Sequence, residues 1–293
     1  MAEGLVAAPG EAAAPRGRRS RALRVAFGGA GGVGAAIVAV VTLAAVFAPW
    51  VAPYDPVALN PPARLQGPSA ENLLGTDQYG RDTLSRIVYG GRASLSVAGA
   101  STLFALLVGG ALGVLAGFYR GWVDGLIMRV TDVLLSFPAI LLAIALLAFL
   151  GPGFVNLVLA IGLVYVGPFA RVARGAVMTV REELFVEASR SLGSRDWRVL
   201  LRAVLPAAAA PLIVEVTLRL AYGILAEASL SFLGLGLRPP VVSWGVLLQQ
   251  AQNARTMAQQ PWLLIPAVFV ILTVLSFNFA GDGLRDAADP YAR

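Results

Sequence analysis

Residues 133–170 read VLLSFPAILLAIALLAFLGPGFVNLVLAIGLVYVGPFA and contain no charged residue. A helix needs roughly 20 apolar residues to cross the hydrocarbon core of a bilayer, which is about 30 Å thick. The run is long enough for two spans, and Gly151-Pro152-Gly153 interrupts it where a turn would separate them. Backbone groups in lipid must be satisfied internally, and the alternating pattern of barrel strands is absent, so helices are the expected spans.

Four more apolar runs lie on either side of this stretch, and only the one at 203–237 contains charged residues. Together the five runs predict an all-α polytopic membrane protein with about six transmembrane helices. The predicted spans are approximately 28–48, 95–117, 132–150, 154–173, 207–232 and 261–281. The apolar run after the Arg-rich start is longer than the 7–15 residues of a signal-peptide core, which predicts an uncleaved first span.

Composition supports a membrane protein and excludes several kinds of chemistry. Of the 293 residues, 57% are hydrophobic and 14% are charged, whereas soluble domains carry about 25% charged residues. This balance disfavours a cytosolic enzyme, a disordered regulator and a nucleic-acid-binding domain. The chain has no Cys and no His, which excludes disulfides, thiolate or histidine metal sites and Ser-His-Asp catalysis. All 23 basic residues are Arg, so the chain lacks the Lys of an ATP-binding P-loop.

The position of the arginines predicts the orientation of the chain. If the N-terminus is cytoplasmic, sixteen of the 23 Arg residues face the cytoplasm, six lie outside and Arg219 lies within a span. Cytoplasmic loops carry an excess of basic residues, so both termini are expected in the cytoplasm. The formal charge of +6 then reflects topology and does not indicate a polyanionic partner.

Two glycine patterns lie in the apolar runs. Residues 29–34 (GAGGVG) match the dinucleotide-binding pattern G-x-G-x-x-G, but they open a membrane span and do not follow a strand. Gly109, Gly113 and Gly117 recur every fourth residue. Small residues on one helix face let membrane helices approach closely, so both patterns predict helix packing.

The loop at 181–206 (REELFVEASRSLGSRDWRVLLRAVLP) is the most informative polar segment. Gly193 is expected to end a first helix, with Ser194 as the N-cap of a second. Phe185, Ala188 and Leu192 share one predicted face, and Trp197, Leu200, Leu201 and Val204 share another. The alternative is a solvated or lipid-surface loop, but the caps and the aromatic anchor favour a docking surface.

Glu215 and Arg219 are four residues apart inside the fifth span, and Glu227 lies farther toward its outer end. An uncompensated charge at mid-bilayer costs about 3 kcal/mol, and an i, i+4 pair reduces that cost. Charged residues in spans usually face a bundle interior or a water-filled path. The pair is therefore either a structural pair or part of a pathway, and Glu227 is either a pathway residue or an interfacial cap.

Four separated motifs then occur in a fixed order. In chain order they are residues 74–82 (LGTDQYGRD), the loop residues Glu187, Ala188, Ser189, Gly193, Leu205 and Pro206, residues 227–236 (EASLSFLGLG) and residues 281–286 (GDGLRD). With them the chain, over about residues 25–293, resembles the inner-membrane permease subunits of dipeptide/oligopeptide ABC importers, which include nickel-type members. The resemblance is to the second of their two permease types. Many relatives read His-x-Leu-Pro-Asn where this chain has Ala203 and Ala207.

The resemblance implies a type I permease-like bundle that is a transport subunit and not an enzyme. A second homologous permease subunit would complete the pathway, and an extracytoplasmic solute-binding protein would deliver the solute. Two cytoplasmic ATPase subunits would hold ATP and Mg, with no cofactor on this chain. The loop would be the coupling region seated on one ATPase, with Glu187 and Gly193 setting its geometry and Trp197 as a docking anchor.

The predicted organisation has four parts: a cytoplasmic Arg-rich tail (1–24), a first span with an extracytoplasmic loop (25–92), a permease core (93–281) and a cytoplasmic C-terminal tail (282–293). The expected location is a bacterial or archaeal inner membrane. An ion-gradient-driven transporter or channel subunit is the alternative, and a membrane-embedded enzyme is a weaker one. The sequence leaves the solute open among peptides, nickel, glycosides and other small molecules.

Overall fold

The computed structural model describes residues 28–252 and 260–288. The predicted tail at 1–24, residues 253–259 before the last predicted span and residues 289–293 lie outside these ranges. The helices, in chain order, are α1 (Gly29–Val46), α2 (Ala48–Val51), α3 (Thr83–Tyr119), α4 (Gly121–Leu135), α5 (Ala139–Leu150), α6 (Phe154–Arg181), α7 (Leu184–Ser191), α8 (Asp196–Val199), α9 (Ala209–Phe232), α10 (Trp244–Gln250) and α11 (Ile265–Ala288). The prediction of an all-α chain is confirmed for the described residues.

Five helical stretches in these ranges are long and apolar enough to cross a membrane. They are α1, α3, α6, α9 and the stretch Pro261–Ala287 that includes most of α11. α3 begins at Thr83, where the Asp82 side chain accepts a hydrogen bond from the Ser85 N–H at 2.7 Å. It is therefore longer than the predicted 95–117 span, and it runs across the boundary expected between residues 92 and 93.

The third predicted span, 132–150, is not one helix. α4 and α5 meet at an angle of 88° across residues 136–138. A residue that precedes Pro is disfavoured in the helical region, and Pro138 has no N–H to continue the hydrogen-bond ladder, so the helix breaks there. α5 has 12 residues and rises about 18 Å, which is less than the thickness of a bilayer core.

Helix packing places α3 and α6 at the centre of the bundle, since 56% of the apolar stretch of each is buried, against 33% for α9. α6 contacts α3, α4, α5 and α9, whereas α9 also contacts α3 and α11. α1 lies on the periphery against α11 and α3. We call the end of the bundle that carries α7 and α8 the loop end, and the end that carries α10 and residues 52–82 the opposite end.

Helix contacts explain Gly109, Gly113 and Gly117, as predicted, and in the pattern at 29–34 they explain Gly34, whereas a Cβ on Gly29 would meet no atom within 4 Å. A Cβ on Gly109 or Gly113 would overlap the backbone carbonyl of Val166 or Ala170 on α6, and one on Gly117 would lie 2.7 Å from the Arg174 carbonyl oxygen. On α1, a Cβ on Gly34 would lie 2.6 Å from the carbonyl oxygen of a residue on α11. Both surfaces therefore require glycine for the observed interhelical distance.

Candidate functional site

The turn between α7 and α8 has the geometry of a glycine-terminated helix. Gly193 has φ +79°, its N–H donates to the Arg190 carbonyl at 2.9 Å, and the Ser194 N–H donates to the Ser189 carbonyl at 3.2 Å. These two bonds form a Schellman motif, which confirms Gly193 at the C′ position. The prediction that Ser194 is the N-cap of the second helix is wrong. Arg195 occupies the N-cap position of α8, and the Arg195 side chain makes no capping hydrogen bond.

An apolar cluster joins the 182–208 segment to the bundle at the loop end. It contains residues from α3, α6 and the segment itself: Phe118, Val177, Val186, Val199, Leu200, Val204 and Ala208. The guanidinium groups of Arg181 and Arg190 lie over the Phe118 ring, with Cζ at 5.8 and 5.4 Å from its centroid. Because α3 and α6 both contribute to this cluster, a displacement of the segment would pull on two long helices.

The outer surface of the same segment exposes large apolar side chains. Leu184 is 80% exposed and Leu192 is 86% exposed, and Phe185, Trp197 and Leu201 are also exposed. The predicted face of Phe185, Ala188 and Leu192 is therefore an exposed face. An exposed apolar patch rimmed by charged residues marks an interaction site in a folded protein.

The second predicted face does not stay together. Trp197 and Leu201 are exposed, whereas Leu200 and Val204 are buried in the cluster against α3 and α6. Residues 200–204 form a π-turn, which rotates the residues that follow relative to an α-helical register. The prediction of one face for Trp197, Leu200, Leu201 and Val204 is therefore wrong.

The other residues of the predicted coupling loop lie on or near this surface. Glu187 is exposed in the first turn of α7, beside Ala188, which is also exposed. The Ser189 hydroxyl donates to the Phe185 carbonyl at 2.9 Å. Leu205 and Pro206 belong to a short helical turn that leads into α9.

Glu215 and Arg219 form an ion pair within α9. Arg219 Nε donates to Glu215 Oε1 at 2.6 Å, and the Glu215 side chain is almost fully buried. Arg219 faces a cleft of about 360 Å³ between α5, α6 and α9. Its guanidinium Cζ lies 5.3 Å from the Tyr165 ring centroid and 5.7 Å from that of Tyr222. The pair is thus a contact within α9, and its arginine lines the cleft.

Glu227 lies away from this cleft and is fully buried. It accepts hydrogen bonds from the Ser94 hydroxyl at 2.6 Å and the Ser231 hydroxyl at 2.8 Å. The Ser94 oxygen also accepts the N–H of Trp244, the first residue of α10, at 3.2 Å. Glu227 therefore connects α3, α9 and α10 inside the protein.

A second buried polar network at the opposite end joins residues far apart in sequence. Asp77 Oδ2 accepts from Arg81 Nε and from Arg86 Nη1, each at 2.7 Å. The two arginines also donate to Gln250 Oε1 of α10, at 3.2 and 2.9 Å. The motif at 74–82 contains two of these residues, but its sequence did not indicate which partners they would have. The network fixes residues 74–86 to α10.

Ion pairs also connect α4 to α6. Arg174 donates to both oxygens of Asp124, with one contact at 2.6 Å, and Arg171 donates to Asp132 at 2.6 Å. Arg120 pairs with Glu182 just beyond α6. α4 is therefore held beside the loop-end half of α6. Within residues 28–252 and 260–288, no group of acidic side chains could hold a metal ion.

Comparisons with known proteins agree with this architecture. Residues 109–293 match the family described as "Binding-protein-dependent transport system inner membrane component", and residues 30–68 match the "N-terminal TM domain of oligopeptide transport permease C". The chain is 45% identical over 259 residues to the dipeptide transport system permease protein DppC of Alkalihalophilus pseudofirmus, covering 88% of this chain and 84% of that one. It is 42% identical over 247 residues to the glutathione transport system permease protein GsiD of Pectobacterium atrosepticum, covering 84% of this chain and 82% of that one.

Among solved structures, the fold is similar to that of a chain of the MetNI methionine ABC transporter in inward-facing conformations. The TM-score is 0.56 at 20% identity, and the match covers 70% of this chain and 98% of that chain. This similarity concerns the fold alone, and it confirms the expected permease-like bundle.

Proposed function

Because the chain belongs to the family of binding-protein-dependent transport system inner membrane components, we propose that it forms half of the translocation pathway of an ATP-powered importer of peptides. The family is one of transport permease subunits, so the chain itself is not an enzyme. Peptides are proposed because relatives at 42–45% identity are named as dipeptide and glutathione permeases.

In this proposal a homologous second permease completes the pathway, and an extracytoplasmic binding protein delivers the peptide. Two cytoplasmic ATPase subunits supply the P-loops for which this chain has no Lys. The arginine distribution supports a cytoplasmic loop end and cytoplasmic termini. The cytoplasmic ATPases then meet the exposed apolar surface of the 182–208 segment.

The observation that carries the coupling proposal is that this segment has two apolar sides. Its inner side is buried with Phe118 and Val177 at the ends of α3 and α6, and its outer side exposes Leu184 and Leu192. A partner that binds the outer side can therefore move the helices that the inner side contacts. ATP-driven closure of the ATPases would tilt the bundle as a rigid body between inward-facing and outward-facing states. Glu187 and Gly193 set the shape of the surface, and Trp197 anchors the partner.

A charge placed on the outer surface tests this proposal. We expect Leu192→Glu to lower co-purification of the ATPase subunits and dipeptide uptake together, because a carboxylate would be buried in an apolar interface. Leu59→Glu is the matched control, since Leu59 is 67% exposed but lies in the 52–82 segment at the opposite end. Equal co-purification of the ATPases with both variants would contradict the assigned docking surface.

A second measurement separates the proposed energy source from the ion-gradient alternative. In proteoliposomes that contain the complete complex, we expect dipeptide uptake to stop when internal ATP is removed at a constant membrane potential. Uptake that follows an imposed ion gradient without ATP would instead identify a secondary transporter.

A further inference from the structure

The cleft between α5, α6 and α9 is mostly apolar, and its polar side chains are Arg219, Tyr222 and Ser229 of α9 and Tyr165 of α6. Its wall is formed mainly by alanine and branched aliphatic residues, among them Ala139, Ile161 and Leu225. Among the described residues that line it, Arg219 is the one that carries a formal charge. A charged side chain at the level of a membrane span is costly and is a candidate functional group. The cleft therefore places a positive charge where a passing solute would meet it.

The bond to Glu215 uses only part of the hydrogen-bonding capacity of Arg219. A guanidinium has five N–H donors, and the pair with Glu215 uses Nε at 2.6 Å. Neither Nη atom of Arg219 donates to another side chain or carbonyl within the described residues. The edge formed by Nη1 and Nη2 is the edge that binds a carboxylate with two parallel hydrogen bonds.

Two tyrosines from different helices orient the guanidinium. Tyr165 on α6 and Tyr222 on α9 both line the cleft, and their ring centroids lie 5.3 and 5.7 Å from Arg219 Cζ. Contacts of a cation with aromatic rings within about 6 Å are attractive, and more so away from water. Because Glu215 holds Nε from one side, the rings and the carboxylate together limit the directions that the Nη edge can take.

We propose that the Nη1–Nη2 edge of Arg219 binds a carboxylate group of the solute during its passage through the cleft. The inference rests on the proposed function, because it requires the cleft to be part of the pathway. Glu215 lowers the affinity of Arg219 for the solute carboxylate, since its negative charge partly neutralises the arginine. The binding is therefore transient. Weak binding suits a pathway, in which a solute must leave as readily as it enters.

The test uses the permease–ATPase complex in lipid nanodiscs without the binding protein and without ATP. Saturation-transfer NMR measures binding of dialanine and of dialanine amide, which lacks the carboxylate. We expect the wild-type complex to give a signal with dialanine and a much weaker one with the amide. Absence of a dialanine signal from the wild-type complex would overturn the proposal.

Two variants distinguish carboxylate binding from a purely structural pair. Glu215→Gln removes the competing negative charge, so we expect dialanine to bind about tenfold more tightly. In Glu215→Gln/Arg219→Gln neither residue is charged, so no buried charge is left unpaired, and we expect the dialanine signal to be lost. Arg238→Gln, which removes an exposed arginine outside the cleft, serves as the control and should bind as the wild type does.

A structural role alone predicts a different pattern of results. It predicts that Glu215→Gln weakens dialanine binding or leaves it unchanged, and either result would overturn the carboxylate site. Uptake by the wild-type complex with its binding protein is measured in parallel. If the wild type imports dialanine and the variants do not differ in binding, this inference fails and the proposed function stands. If the wild type does not import peptides, the proposed function fails.

Discussion

Replacing Gly193 by Ala should uncouple transport while leaving the bundle intact. Gly193 has φ +79°, and a Cβ built there meets no atom within 4 Å. The substitution therefore adds backbone strain without a steric clash. A left-handed backbone conformation costs a residue other than Gly roughly 1–2 kcal/mol. This cost opposes the turn that keeps α7 and α8 in the shape required for docking.

The magnitude follows from that strain. A change of 1–2 kcal/mol alters a two-state ratio by a factor of roughly 5–30. If docking needs the observed turn, ATP-driven dipeptide uptake in proteoliposomes should fall, by up to that factor. The amount of protein in the membrane should stay unchanged, because the turn lies outside the spans.

The chain provides a matched control for this experiment. Gly151 has φ +80°, and a Cβ there also meets no atom within 4 Å, but it follows α5 at the opposite end. Because ψ of Gly151 is 172°, a region that essentially only glycine adopts, Gly151→Ala introduces at least as much backbone strain far from the docking surface. We still expect uptake within about twofold of wild type. Equal losses in both variants, or normal uptake by Gly193→Ala, would refute the reasoning.

Two further predictions concern the stability of the bundle, measured as thermal unfolding of the purified protein. Gly113→Ala should destabilise by about 1–3 kcal/mol, because its Cβ would lie 2.7 Å from a Cβ on α6. Gly99→Ala in the same helix meets no atom within 4 Å, so it should be neutral or stabilising. Arg86→Gln should cost about 1.5–3 kcal/mol, because it removes buried charged hydrogen bonds to Asp77 and Gln250 while Arg81 stays paired with Asp77. Arg171→Gln breaks an exposed pair and should cost less than about 1 kcal/mol. Similar losses from the two arginine variants would contradict this account.

The sequence predicts the features that depend on neighbouring residues along the chain. Apolar runs predict the spans, and the spacing of Gly109, Gly113 and Gly117 predicts a close helix contact. Gly193 is recognisable as a helix terminator because helices commonly end with glycine in the left-handed conformation. The Glu215–Arg219 pair follows from i, i+4 spacing.

Features that depend on distant residues could not be predicted in this way. Tyr222 lies three residues after Arg219 and could have been placed on its face, but no local pattern brings Tyr165 to it from another helix. The contacts of Glu227 with Ser94 likewise depend on how α9 packs against α3. In contrast, the break before α5 had a local signal, Pro138, which the strong hydropathy of the region masked.

The break at residues 136–138 affects the lipid around the protein. The first N–H groups of α5 and the last carbonyls of α4 lack helical partners, and an unsatisfied backbone group costs several kcal/mol in hydrocarbon. Residues 136–138 are exposed in this chain, so water, lipid headgroups or a neighbouring subunit must satisfy these groups on the side of the protein that carries α5. The apolar belt, meaning the band of apolar side chains that faces lipid, is then uneven around the protein. It has its full height beside α1 and α11 and is shallower beside α5. We expect a permease with such a belt to deform the bilayer asymmetrically, so that its activity depends on the acyl-chain length of the lipids that surround it.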